Sequence, residues 1–339
     1  MGIDTSCDDT SCAIVEDGRQ ILSNVVSSQI TEHSEYGGVV PEIACRKHVE
    51  NIVGVVRKAI ADAKCELNDI SAIAVTKGPG LVGALLVGIG VAKAIAYSQS
   101  LPLIPVNHLE GHILSPFLAS GVNYEFPFVS LVVSGGHTSL YVVRELGRYE
   151  AVGRTVDDAA GEAFDKTAKA LGLGYPGGPV VEKRAAKAAR SIELPSPMIK
   201  HDSFDFSFSG LKTAALNYIR FELEIEPNAN CGDAIDTDAV DSLCAGFQDA
   251  VIDVLLYKAF RLSEQRKIPI VALGGGVSAN TTLRERFISR GKQDAVRVIF
   301  PSKPLSTDNA AMIAAAGFHR FVNKEFADST LDAEPNLPL

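Results

Sequence analysis

The chain reads as an α/β protein of two lobes, each a sheet flanked by helices, and three observations carry that reading. Strand-like and helix-like segments alternate from the first residues, and a second round of the same alternation begins at Phe126. The 339 residues, 46% of them hydrophobic, suffice to bury the core of two lobes.

Ile3 to Thr5, Cys12 to Val15 and Ile21 to Ser27 have the composition of short strands, separated by turn signals at Asp8-Asp9 and Asp17-Gly18. A helix follows, with Pro41 suited to its first turn and an apolar face of Val49, Ile52, Val53, Val56 and Ile60 at the helical period. Next come a buried strand at Ile70 to Val75 and a glycine-rich helix from Leu81. The apolar run Leu81 to Ala92 stops at Lys93, which reads as a buried helix too short to span a bilayer. A strand at Leu103 to Val106 ends at the segment NHLEGH.

The second round opens with FPFVSLVVSGGHTSLYVV, two strand runs hinged at Ser134-Gly135-Gly136-His137. Glycines there permit φ > 0 and close approach of a ligand to backbone, as in a hairpin turn or a phosphate cradle. Val271 to Leu273 then forms a strand entering Gly274-Gly275-Gly276-Val277-Ser278-Ala279-Asn280 ahead of a helical stretch, the kind of turn where anions and nucleotides bind in α/β sheets. Glu222 to Asp241 is acidic, carries Pro227 and Gly232, and reads as an insert or connection; the tail after Phe321 is turn-rich. The expected division is residues 1–122 as a first lobe, 123–305 as a second, and 306–339 as a C-terminal segment with a packing helix.

The formal net charge of −9 argues against a protein that grips nucleic acid over its whole surface, and leaves room for a local basic stripe or a basic partner. Lys183, Arg184, Lys187 and Arg190 would share one face if EKRAAKAAR were helical. The opening MGIDTSCDDTS has neither a basic n-region nor an apolar h-region, so no secretory signal is expected. Six cysteines (Cys7, Cys12, Cys45, Cys65, Cys231, Cys244) show no C-x-x-C pair, as expected of reduced thiols in a cytoplasmic protein.

His108 and His112, four residues apart, have metal-ligand spacing on one helix face. Helix-start histidines satisfied by hydrogen bonds are the alternative. Glu110 lies two positions after the first histidine, whereas the zinc-protease pattern H-E-x-x-H places its glutamate directly after it, so Glu110 is poorly placed as a protease base. No G-x-x-x-x-G-K-[ST] occurs, and Gly88-Ile89-Gly90-Val91-Ala92-Lys93 lacks the third glycine of the dinucleotide fingerprint, which suggests tight helix packing. The early acidic turn (Asp4, Asp8, Asp9), the glycine hairpin and the late glycine turn together resemble the actin, sugar kinase and Hsp70-like (ASKHA) fold, whose interlobe cleft would hold the active site.

Within that superfamily, GIDTSCDDTS (2–11), GGVVPEIA (37–44), KGPGLVGALLVG (77–88), NHLEGH (107–112), VVSGGHTSL (132–140), DDAAGEAFDKTAKALGLGYPGGP (157–179), FDFSFSGLKT (204–213), GGGVSAN (274–280) and STDNAAMIA (306–314) run in unbroken order. They resemble the bacterial TsaD family of tRNA N6-adenosine threonylcarbamoyltransferases. The resemblance implies His108, His112 and Asp308 as ligands of one divalent metal, usually Fe(2+) and alternatively Zn(2+). It implies Val132, Val133, Ser134, Gly135, Gly136, Asp165, Gly178 and Asn280 as substrate-binding residues, and Asp8 and Asp9 as catalytic ones.

Each implied residue has a plainer reading beside it: a helix cap for Asp308, a solvated helix position for Asp165, an ordinary turn for Asp8 and Asp9. The implied reaction transfers the threonylcarbamoyl group from threonylcarbamoyl-adenylate to N6 of adenosine 37 in tRNAs reading codons that begin with A, releasing AMP. The implied partners are tRNA, a paralogous TsaB-type subunit and a TsaE-type P-loop ATPase, with no membrane. A metalloendopeptidase and a non-catalytic ASKHA-fold partner subunit are the competing readings.

Overall fold

The computed structural model describes residues 1–118, 122–199, 201–224 and 237–339. The central part of the acidic stretch expected as an insert, residues 225–236, lies outside the described residues. The chain divides into two units, Met1–Tyr124 with Pro301–Leu339, and Glu125–Phe300.

In the first unit, β1 (Gly2–Asp4), β2 (Asp9–Glu16) and β3 (Gln20–Ser28) form an antiparallel meander. A short helix α1 (Ile30–Ser34) and the 22-residue α2 (Pro41–Asp62) lead to β4 (Ile73–Gly78), and α3 (Val82–Gln99) crosses to β5 (Leu103–Asn107). Both late strands run parallel, giving the order β3-β2-β1-β4-β5. The helix α4 (His108–Leu114) follows β5 directly.

The second unit repeats the plan. There β6 (Phe128–Val133), β7 (Thr138–Glu145) and β8 (Arg148–Arg154) are antiparallel. Helices α5 (Ala160–Ala170), α6 (Gly177–Ala185), α7 (Ser209–Phe221) and α8 (Thr237–Arg266) precede β9 (Ile270–Gly274), and α9 (Thr281–Asp294) crosses to β10 (Arg297–Ile299). The order β10-β9-β6-β7-β8 is the first sheet's order read backwards, with β9 and β10 again parallel. Two sheets with one topology are what the repeated alternation in the sequence encodes. The chain then returns to the first unit through α10 (Ala310–Val322), which packs on β1, β2, β4 and α4.

Three details differ from expectation. The face of α2 is rotated: Ile52, Val55, Val56 and Ala59 are buried, while Val49 and Val53 are 60% and 51% exposed, so the helix carries a second apolar stripe facing outward. The apolar helix α3 continues past Lys93 to Gln99, and its 18 residues are long and apolar enough to cross a membrane. Its buried residues Ala84, Leu85, Gly88, Ile89, Ala92 and Ala96 lie along one side, and it connects two parallel neighbours, as the crossover of a βαβ unit does. Gly88 is there for packing, since a Cβ would lie 2.4 Å from Thr5 Oγ1. Finally, α6 ends at Ala185 and Arg184 is paired with the buried Asp241 at 2.5 Å, so the expected basic stripe is not one continuous helical face.

Candidate functional site

The junction of β5 and α4 positions the two histidines. Asn107 caps the helix, its side-chain oxygen accepting from Leu109 N at 2.9 Å, so His108 stands at the first helical position. His112 follows one turn later, and the rings meet edge to face with centroids 4.7 Å apart. Asp308 arrives from the segment before α10. It does not cap that helix, because Asn309 does, accepting from Met312 N at 3.1 Å; the Asp308 carboxylate is thereby left for the histidines. Asp308 Oδ1 lies 3.4 Å from His108 Nε2 and 3.1 Å from His112 Nε2, and one donor atom from each residue falls within 4.8 Å of the others.

This cluster fits a cation. Two imidazoles and a carboxylate are a donor set for iron or zinc with open positions. Among the described residues, neither ring nitrogen of the fully buried His112 has a partner in hydrogen-bonding geometry, despite the nearby Asp308 oxygen. The metal-free charges show how tightly the cluster is coupled. Burial alone would lower the His108 pKa, but the Asp308 and Asp4 carboxylates more than reverse this and raise it to about 10. Burial alone would raise Asp308, and the His108 charge instead holds its carboxyl well below the usual range.

Two contacts absent from the sequence reading shape this cluster. Gly111 lets α4 lie against α10, since a Cβ there would come within 2.9 Å of Met312 Cγ. Glu110 is fully buried and paired with Arg320 of α10 at 2.9 and 3.2 Å, which fastens the two helices that carry the cluster. Its spacing was the available signal: between two histidines, facing away from them.

Asp8 and Asp9 lie on the turn into β2. His48 of α2 secures that turn: its Nε2 donates to Cys7 O at 2.9 Å, and its Nδ1 then accepts from Thr10 Oγ1 at 2.8 Å. Burial, then the Asp308 charge, raises the pKa of both aspartates, that of Asp9 to about 7. Burial pushes the Cys7 thiol well above its ordinary value, so it is no thiolate nucleophile.

The expected substrate residues are all in the second unit. Val132 and Val133 end β6, fully buried, and the turn closes with Ser134 N donating to His137 O at 2.8 Å. Gly135 and Gly136 do not use positive φ, nor does Gly178, in contrast to the expectation for the hinge. A Cβ at any of the three would meet nothing within 4 Å, so no packing among the described residues explains them. Gly275 is different: its φ is 89°, and a Cβ would lie 2.4 Å from Val133 O. The turn entering α9 therefore needs glycine for its own shape.

Asp165 is half-buried rather than a solvated helix residue, and its Oδ1 accepts from Gly177 N at 2.7 Å, next to Gly178. Asn280 is 8% exposed and caps α9, its Oδ1 accepting from Leu283 N at 2.9 Å while Nδ2 donates to Gln248 Oε1 at 2.8 Å. One amide hydrogen and one lone pair remain for a ligand.

Sheet topology and the His-His-Asp cluster define an ASKHA-type protein with a candidate metal centre. Full-length HypF in its phosphate- and nucleotide-bound form superposes with a TM-score of 0.59 at 15% identity, over 97% of this chain and 56% of that one. The activator of 2-hydroxyisocaproyl-CoA dehydratase from Clostridium difficile gives 0.53 at 15% identity, over 97% and 98%. Both likenesses concern the fold.

Residues 20–315 match the family model described as TsaD, tRNA N6-adenosine threonylcarbamoyltransferase. The protein of that name from Thermodesulfovibrio yellowstonii is 51% identical over 340 residues, covering 100% of this chain and 99% of that protein. Its counterpart in Syntrophus aciditrophicus is 47% identical over 339 residues, covering 100% and 97%. The chain belongs to the TsaD family of tRNA-modifying transferases.

Proposed function

We propose that this chain transfers a threonylcarbamoyl group from threonylcarbamoyl-adenylate to N6 of adenosine 37 in tRNAs that read codons beginning with A, releasing AMP. Family membership supports tRNA modification by group transfer, and the observation that carries the site assignment is the buried His108–His112–Asp308 cluster. A peptidase reading lacks its base, because Glu110 is committed to Arg320.

His108, His112 and Asp308 would hold one divalent cation, Fe(2+) in this reading with Zn(2+) as the alternative. Bound there, it supplies positive charge and a template for substrate oxygens. The adenylate falls to the second unit: the amides of Gly135 and Gly136 face its phosphate, the open side of Gly178 admits its body, and the remaining Asn280 hydrogen reaches a base or ribose acceptor. In the transfer, N6 of adenosine attacks the carbamoyl carbon, the bond from that carbon to the phosphate oxygen breaks, and AMP departs with the electron pair. The amine proton goes to a carboxylate. Asp9, whose pKa burial raises, is a stronger base for that role than an exposed carboxylate would be. AMP is a good leaving group, so positioning and charge stabilisation carry most of the rate.

The reading includes a cytoplasmic setting, a TsaB-type same-fold subunit and a TsaE-type P-loop ATPase. Support for a partner lies on α2 and α3, which pack together where Gly83 meets Cys45 and expose Val49, Val53, Val82 and Leu86. A chain of net charge −9 also gains from a partner's basic surface when it binds tRNA. The test is reconstitution with purified partners, synthetic adenylate and unmodified tRNA, with nucleosides read by mass. Threonylcarbamoyladenosine is expected; peptide hydrolysis without nucleoside product would reverse the assignment.

A further inference from the structure

The two histidines of the cluster are held differently. Among the described residues neither ring nitrogen of His112 has a partner in hydrogen-bonding geometry, although Asp308 Oδ1 lies 3.1 Å from Nε2, whereas His108 Nδ1 faces Ser6 Oγ at 3.1 Å and Asp4 Oδ2 at 3.4 Å. Asp4 is fully buried at the end of β1, and its two oxygens are unequal. Oδ1 accepts from Thr76 Oγ1 at 2.7 Å and from Ser6 N at 3.2 Å. Oδ2 is buried with no hydrogen-bond partner in the described residues, and His108 is the ring beside it. A serine hydroxyl can donate or accept, so Ser6 alone leaves the proton on Nδ1 undecided. An ionised carboxylate can only accept.

We infer that Asp4 is a positioning residue that fixes the tautomer of His108, keeping the proton on Nδ1 and leaving Nε2 bare for a cation. The inference rests on the metal reading above. It assigns to Asp4 the orienting role that carboxylates play behind metal-bound imidazoles. It also makes the Asp4→Asn variant informative in an uncommon way. Ser6 N–H requires an oxygen at the Oδ1 position, so the new amide must place its NH2 at the Oδ2 position. There it donates to Nδ1, which forces the His108 proton onto Nε2, the atom the cation needs.

The test uses the full chain stripped of metal, with Zn(2+) as probe in competition with a chromophoric chelator. Asp4→Asn is expected to bind Zn(2+) about 10–100-fold more weakly than wild type. Thr76→Val, which frees Oδ1 without touching His108, should weaken it by a smaller factor. His112→Ala and Asp308→Ala are run alongside. If those two lose Zn(2+) while Asp4→Asn binds within about twofold of wild type, the Asp4 role is overturned and the metal site stands. If His112→Ala and Asp308→Ala bind as wild type does, the metal reading falls and the inference with it. Should Asp4→Asn not fold, Asp4→Ser takes its place: Zn(2+) binding about tenfold or more weaker than wild type supports the inference, and binding within about twofold of wild type overturns it.

Discussion

His108 is the residue whose protonation governs the cluster. Its pKa of about 10 without metal means that, near neutrality, each cation entering must displace one proton. Affinity for a divalent cation should therefore rise by about tenfold per pH unit between about pH 7 and 9 and level off above the His108 pKa. Calorimetric titration of metal-free protein across that range checks the slope; a flat profile would remove His108 from the ligands. Asp9 titrates in the same direction into function, because a base must also lose its proton to act. Transfer should rise as the pH passes the raised Asp9 pKa, and Asp9→Asn should lose that limb and about a hundredfold or more in rate. An unchanged pH–rate profile in Asp9→Asn would move the base elsewhere. The histidine spacing and the STDN string made three of these side chains visible in the sequence. Asp4 was visible only as part of the acidic turn and His48 not at all, because one buried polar side chain in a strand and one in an amphipathic helix look the same whether they orient a neighbour or merely fill space.

At the level of elements, the site depends on how closely α4 meets α10. Gly111→Ala would gain about 1 kcal/mol of helix propensity against a Met312 side chain that can shift, so the two effects nearly cancel. Gly111→Val adds bulk with no such gain, and should cost about 1–3 kcal/mol and weaken metal binding, read by thermal unfolding and by elemental analysis. Gly178→Ala is the opposite case: φ is not positive and the space beside it is open, so unfolding should be unchanged while adenylate binding falls. Unaltered calorimetric affinity for the adenylate would make that turn structural. Strands and crossovers were largely legible, because two-residue and 3.6-residue periods survive in the sequence. Which stripe of α2 faces inward was not, since both Ile52–Val56 and Val49–Val53 are apolar and only the sheet beneath decides between them. The end of α6 at Ala185 was equally hidden, because alanine-rich sequence carries no stop signal.

Across the whole molecule, one topology used twice supplies two sets of chemistry: the metal cluster and acidic turn in one unit, the glycine turns and Asn280 in the other. The outward stripe of α2 belongs to assembly rather than catalysis in this account. Val49→Asp with Val53→Asp should therefore abolish co-purification with the same-fold subunit while metal content stays at wild-type level; retained binding would place the partner on another face. The central claim is that transfer to tRNA runs through the His108–His112–Asp308 cluster. It is tested most directly by adding metal stepwise to metal-free enzyme with its partners and measuring threonylcarbamoyladenosine at each step. Product should be absent without metal, rise in proportion to metal bound, reach its plateau at one equivalent per chain, and stay absent in Asp308→Ala at every step. Full product from the metal-free enzyme, or from Asp308→Ala, would contradict the account.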